Sequence, residues 1–144
     1  LLVAGRLEES ETLLYKAVEG AGRLADHNLL SDAARNLALC ARTRDDTARA
    51  VTWARRSVAA AQLSDVLRTR AASLQTLGEV LADTDDADAA DAAFERAAQI
   101  WEQADERRDL QSCLQTHAAF LMRLNRTDAA QAVMARMDEL AART

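Results

Sequence analysis

The chain repeats itself at a shift of 40 residues. On that shift Leu74-Gln75-Thr76 falls on Leu114-Gln115-Thr116, Leu81 on Leu121, Asp88 on Asp128, Ala90 on Ala130 and Arg96 on Arg136. One step back, Ala34, Leu37, Ala38, Ala41, Ala50, Ala54 and Ser57 align with Leu74, Leu77, Gly78, Leu81, Ala90, Phe94 and Ala97. A further step reaches Leu1, Ser10, Leu14 and Ala17, and one position is basic in every copy: Lys16, Arg56, Arg96 and Arg136. A unit this short cannot bury both its faces, so copies must stack, and stability becomes nearly a sum of nearest-neighbour terms.

Within a copy, apolar residues recur at helical spacing twice, separated by a short polar run. In the central copy the spacing predicts a first helix from about Val66 to Ala82, capped by Ser64 or Asp65, and a second from about Ala87 to Gln103. Asp83-Thr84-Asp85-Asp86 is the turn between them: its aspartates can accept from the free amides that open the second helix and oppose its positive end. Equivalent turns fall at Arg44-Asp45-Asp46 and Asn125-Arg126-Thr127, with Gly5 and Arg6 marking the one in a truncated first copy. Glu19-Gly20-Ala21-Gly22 and Ala104-Asp105-Glu106 connect one hairpin to the next. The partition is therefore residues 1–22 as the second helix of a truncated first repeat, then repeats at 23–63, 64–104 and 105–144, all in one solenoid domain. Where helices cross closely the contact must be small, so Gly78, Ala38 and Ala118 are expected to face Ala50, Ala90 and Ala130. Leu77, Leu81, Phe94, Ile100 and Leu121 would fill the space between layers.

Composition agrees with an all-α chain. Of the residues 49% are hydrophobic but only 3% aromatic, so a core must come from close backbone approach rather than large rings. Proline is absent and there are four glycines, which disfavours sandwiches, barrels and flexible linkers. A net charge of -5 argues against direct nucleic-acid binding, which usually needs a net basic face. No apolar run is long enough to span a membrane, and no signal-peptide pattern opens the chain. Cys40 and Cys113 form no CxxC pair, which points to a reducing, cytoplasmic setting rather than a disulfide framework. All but one of the 18 basic residues are arginine and alanine is the commonest residue, a bias of GC-rich codons that points to a bacterial source. Leu1 stands inside an apolar segment, as in a piece of a longer polypeptide.

The residues that could carry chemistry are few. Cys113 and His117 lie four apart on one helix face, a spacing that could supply two metal ligands, but no second pair accompanies them, so no metal or other cofactor is expected. Neither histidine sits beside a nucleophile and there is no glycine-rich phosphate loop, so the chain is not expected to be an enzyme. The carboxylates from Asp83 to Asp88 lack the glycine and the closing glutamate of a calcium loop and are expected to cap a helix. Trp53 and Trp101 in second helices are expected to pack against the next repeat or to cover the outer face, rather than to stack on a ligand.

The central copy resembles the tetratricopeptide repeat. The pattern is carried by Leu74, Leu77-Gly78, Leu81, Ala90, Phe94 and Ala97, with Glu102 where the family often has proline or a charge. The other copies depart from it: Ala38 and Ala118 replace the glycine, His117 a leucine, and Ala54 and Met134 the aromatic. A period of 40 is similar to the long-helix variety found in bacterial signalling proteins and transcriptional regulators. The resemblance implies a right-handed superhelical stack of antiparallel helical hairpins, a non-catalytic scaffold that binds a protein or peptide on a concave face built by the first helices. The alternative it leaves is a structural or dimerising segment of a larger regulator.

On first-helix phasing the concave stripe would comprise Asn28, Asp32, Arg35, Leu39 and Arg42, then Arg68, Ala72, Gln75, Glu79 and Ala82, then Arg108, Ser112, Gln115, Ala119 and Met122. Four arginines face Asp32 and Glu79 there, an excess of +2, so a partner with an acidic segment is expected, held by Arg35, Arg68 and Arg108 with Gln75 and Gln115 bonding its backbone. Ala130, Val133, Met134, Met137 and Leu140 are expected to leave the last helix apolar and exposed. Together with the truncated first copy this predicts self-association through the ends.

Overall fold

The computed structural model describes residues 2–143; Leu1, the first matching position of the repeat, and Thr144 lie outside them. Among the described residues there are seven helices and no strand: α1 (Leu2–Leu24), α2 (His27–Thr43), α3 (Thr47–Gln62), α4 (Leu67–Leu81), α5 (Ala87–Gln103), α6 (Arg107–Arg123) and α7 (Thr127–Ala142). Short connections fold neighbours into antiparallel hairpins, α2 with α3, α4 with α5 and α6 with α7, and each hairpin stacks on the next through α3 on α4 and α5 on α6. Helix α1 packs on α2, and α2 also lies against α4, which brings first helices side by side. The result is an α-solenoid.

Local chemistry sets most of the boundaries. Asp26, Asp46 and Asp86 stand immediately before α2, α3 and α5, and each accepts the amide three residues on: Leu29 at 3.0 Å, Arg49 at 3.2 Å and Ala89 at 3.2 Å. Each bond satisfies one of the amides that a helix start leaves without an intrahelical acceptor. Four connections reverse through a single left-handed residue, Ala25 (φ 52°), Asp45 (62°), Asp105 (57°) and Asn125 (59°). The following amide then closes back on the preceding helix, as Asp46 does on the Ala41 carbonyl at 2.9 Å and Arg126 on Leu121 at 2.9 Å.

Three expected boundaries fall elsewhere. Gly5 and Arg6 form no turn, and Glu19-Gly20-Ala21-Gly22 is no linker, because α1 runs unbroken to Leu24 and the chain reverses at Ala25-Asp26. A glycine alone does not stop a helix when nothing downstream caps it earlier, and no side chain approaches where a Cβ would stand on Gly5, Gly20 or Gly22. Neither Ser64 nor Asp65 caps α4, which starts after Val66 with no side-chain cap. Instead the Ser64 hydroxyl donates to Asn28 Oδ1 and accepts from the Val66 amide at 3.0 Å, tying the connection to α2.

The core is mostly alanine, with larger side chains at set places. Phe94 is fully buried at its centre, stacked on His117 with ring centres 5.2 Å apart and tilted against Phe120 at 5.8 Å. A Cβ on Gly78 would stand 3.0 Å from Phe94 Cδ1, so the ring lies in the notch that the glycine leaves. The side chain nearest that notch is thus Phe94 rather than the expected alanine. Between α2 and α3 two buried serines clasp each other, Ser31 Oγ donating to the Ser57 carbonyl at 2.9 Å and Ser57 Oγ to the Ser31 carbonyl at 2.8 Å. Ile100, expected between layers, is only partly buried. Helix α7 docks with Ala130 fully buried and Val133, Met137 and Leu140 partly so; of the residues expected to be exposed there, Met134 alone is more than a third exposed.

Candidate binding groove

The first helices are amphipathic, and their side away from α3, α5 and α7 faces a groove of about 530 Å³. Asp32, Arg35 and Leu39 of α2 form one wall, Arg68, Ala72, Gln75 and Glu79 of α4 the other, and Trp101 of α5 and Asp109 of α6 close it. Residues at i, i+3, i+4 and i+7 on a helix share a face, so the spacing that packs Leu37 and Leu77 inward turns these residues to the groove.

The polar groups are already partly engaged. Trp101 Nε1 donates to Gln75 Oε1 at 2.9 Å, and Gln75 Nε2 donates to Glu79 Oε1 at 3.4 Å. Arg68 Nε lies 3.2 Å from Glu106 Oε1. Arg42 is drawn to the α4–α5 turn, its Nε donating to Asp83 Oδ2 at 2.7 Å and its Nη1 3.8 Å from Glu79. The hydrogen bond with Asp83 raises the Arg42 pKa above its ordinary value, against the opposing pull of burial. Arg35 is different: its Nε is shielded from solvent and has no acceptor.

Five of the expected site residues therefore meet around one groove: Asp32, Arg35, Arg68, Gln75 and Glu79. The others do not line it. Asn28 is held by Ser64, Arg42 by Asp83, and Arg108, Ser112, Gln115 and Met122 are exposed on α6 beyond it. The expected excess of positive charge is also absent from the groove, whose lining has Arg35 and Arg68 against Asp32, Glu79 and Asp109. The Gln75 carbonyl already accepts from the Trp101 indole, which uses one of its two lone pairs. Trp101 comes from a second helix and lies outside first-helix phasing, whereas Asp109 is on the first helix α6, where the phasing assigns its neighbour Arg108 to the stripe instead.

The remaining candidates are structural. Cys113 and His117 are both buried; Cys113 Sγ donates to the Phe94 carbonyl at 3.7 Å and His117 Nε2 lies 2.5 Å from Asp91 Oδ1. Burial pushes the Cys113 thiol up to about 12. Among the described residues no group of three His, Cys, Asp or Glu side chains is placed to hold a metal ion. Trp53 meets Tyr15 of α1 edge-on at 5.7 Å with the Arg56 guanidinium 4.5 Å from its ring centre, so its ring contact is with the preceding copy rather than the next. No helix among the described residues is long and apolar enough to cross a membrane.

Repeat spacing, hairpin stacking and a groove along the first helices together define a tetratricopeptide-type solenoid. Residues 1–62 match the family model for the tetratricopeptide repeat. The crystal structure of BtubC (BKLC) from P. vanneervenii is similar to the whole fold, with a TM-score of 0.81 at 19% sequence identity, over 96% of this chain and 57% of that one. No curated protein matches the chain. The start of the chain thus carries a sequence similar to the tetratricopeptide repeat, and the fold throughout is a helical repeat of that type. The central copy, Leu74 to Ala97, lies outside the matched segment.

Proposed function

We propose that the chain is a non-catalytic scaffold that binds a protein or peptide segment in the groove between α2 and α4, as part of a larger regulatory or signalling protein of bacterial origin. The family's repeats are generally protein-interaction modules, which supports the class. The observation that carries the reading is Arg35, which lines the groove and whose buried Nε has no acceptor. A buried, unpaired donor on a charged group costs stability, and a ligand carboxylate would supply the missing acceptor. Asp32, Glu79 and Asp109 repel a long acidic run, so the favoured ligand is a segment with one carboxylate set among neutral residues. The partition into residues 1–22, 23–63, 64–104 and 105–144 belongs to this reading, supported by α1 packing on α2 as α3 packs on α4, with its first boundary shifted to the reversal at Ala25 because α1 runs to Leu24.

The test is a peptide array in which single glutamates are placed in neutral backgrounds, probed with the full chain and its variants. Arg35→Glu should weaken the best binders by about tenfold or more and flatten their salt dependence. Arg68→Glu should do less because Glu106 already pairs with Arg68, and Arg56→Glu should do nothing. Equal losses in all three variants overturn the groove assignment.

A second reading, self-association as a structural segment, is favoured by one observation. Leu13 is 67% exposed beside a shallow groove of about 460 Å³ that Leu7, Leu14 and Leu39 line between α1 and α2.

A further inference from the structure

Helix α4 presents a second face to solvent, opposite the groove just described. There Arg70 and Leu74, with Val58 and Gln62 of α3 and Arg96, Gln99, Ile100 and Gln103 of α5, line an open cleft of about 450 Å³ between the second helices of adjacent hairpins. Both arginines lack a carboxylate: no acidic residue lines the cleft, neither makes an ion pair, and Arg70 Nε is shielded from solvent without an acceptor.

The same cleft occurs one repeat further on, and there the protein fills it. Glu102, Leu110, Leu114, Arg136, Glu139, Leu140 and Arg143 line a space of only about 60 Å³, and each stands 40 positions after a residue of the open cleft. Two exchanges account for the closure. Leu110, 3% exposed, occupies the place that Arg70 has in the open cleft, and Arg136 Nη2 donates to Glu102 Oε2 at 2.7 Å where Arg96 has only the neutral Gln62. The copy before also has a leucine, Leu30, at the Arg70 position. An arginine in the place of a buried leucine breaks the packing rule of the repeat, and Arg70 and Arg96 line one cleft with no acidic residue in its lining to offset their like charge.

We infer that the α3–α4–α5 cleft is a docking site for a protein segment that presents a carboxylate beside a large aliphatic side chain. The closed cleft is the template for the ligand: a glutamate answers the arginine and a leucine fills the apolar floor. In the open cleft, Arg70 and Arg96 would hold the carboxylate while Val58, Leu67, Leu74 and Ile100 receive the aliphatic group. The site is independent of the inner groove, since Arg70 and Leu74 project from the opposite side of α4 to Arg68 and Gln75.

The probe is a short fluorescein-labelled helical peptide with a leucine one turn from a glutamate, titrated into the 144-residue chain and read by anisotropy. The glutamate peptide should bind, and its glutamine version should bind at least about tenfold more weakly, as expected for loss of a charge-assisted bond. Arg70→Ala and Arg96→Ala should each weaken binding by a similar factor, whereas Arg55→Ala, an exposed charge of α3 outside the cleft, should not. Gln62→Glu guards against a folding artefact: it should pair with Arg96 as Glu102 pairs with Arg136, raise Tm and abolish binding. Glutamate and glutamine peptides binding alike, no binding up to roughly 1 mM, or equal loss in Arg55→Ala would overturn the assignment. Displacement of the peptide by octanoate at equal carboxylate concentration would transfer the site to free amphiphilic acids and overturn the protein-segment ligand. Arg35→Glu separates the two grooves, since loss of this peptide in that variant alone would place it in the inner groove and overturn the cleft.

Discussion

Gly78 is the residue on which the central hairpin turns. It sits in the last turn of α4, where glycine costs helix stability of up to about 1 kcal/mol relative to alanine. The cost is offset by Phe94, whose ring lies against the bare Cα and cannot retreat because His117 and Phe120 flank it. Gly78→Leu should therefore destabilise by roughly 1 to 3 kcal/mol despite the better propensity of leucine, because overpacking a closed site outweighs propensity. Urea unfolding checks it, and a gain in stability would mean that α4 and α5 are not packed at this crossing. Cys113 yields a pH dependence. Its unfolded thiol ionises near 9.0 while burial holds the folded one to about 12, so the folded state keeps its proton longer. The contribution is complete below pH 9.0 and is lost as pH rises toward about 12. Unfolding free energy should fall as pH rises from 9.0 toward about 12, and less steeply in Cys113→Ser. Equal slopes would show that the thiol is not buried as described.

At the scale of the element, the helices are defined by their ends more than by their middles. Aspartates cap α2, α3 and α5, and left-handed residues close four of the connections, so hairpin geometry is set within a few residues of each turn. The short aspartate-rich runs were legible in the sequence because an Asp before an apolar-periodic stretch has one favourable use there. Helices α4, α6 and α7 have no side-chain cap bond; α6 and α7 begin just after the left-handed residues Asp105 and Asn125, and Ser64 is drawn away from the start of α4 to Asn28. This is why α4 starts later than its polar signals suggest, while α5 begins and ends where the periodicity places it. Charge at an element's surface was less legible. Arg42 and Arg68 are in the stripe that phasing assigns them, yet each has found a carboxylate from another element, Asp83 and Glu106, and is no longer available as a free cation.

Across the whole molecule, stacking leaves the two ends unequal. Helix α7 buries Ala130 fully and Val133, Met137 and Leu140 partly, with Met134 38% exposed. On α1, Leu13 stays 67% exposed. If the self-association reading holds, sedimentation at roughly 100 µM should give a mass above the 15.7 kDa of one chain, since mass action populates weak dimers at such concentrations. Leu13→Asp should return it to that value. A strict monomer in the unmodified chain would remove the structural-segment reading and leave the scaffold reading standing.

The sequence by itself determined the helical class, the hairpin unit and most turns, because these depend on periodicity and capping within one copy, and local physics repeats at a fixed interval. It also determined which residues of α2 and α4 share a face, and so five residues of the inner groove. Only the tertiary structure decided what those faces meet. Trp101 of α5 and Asp109 of α6 close the groove, Glu79 and Asp83 converge on Arg42, and Phe94 fills the notch at Gly78. The difference between the open cleft at Arg70 and the closed one at Leu110 is written in the sequence as a substitution at the same repeat position. Its meaning depends on distances between helices that no periodicity contains, since a charge is satisfied or orphaned by what lies within a few ångströms of it and not by its place in a pattern.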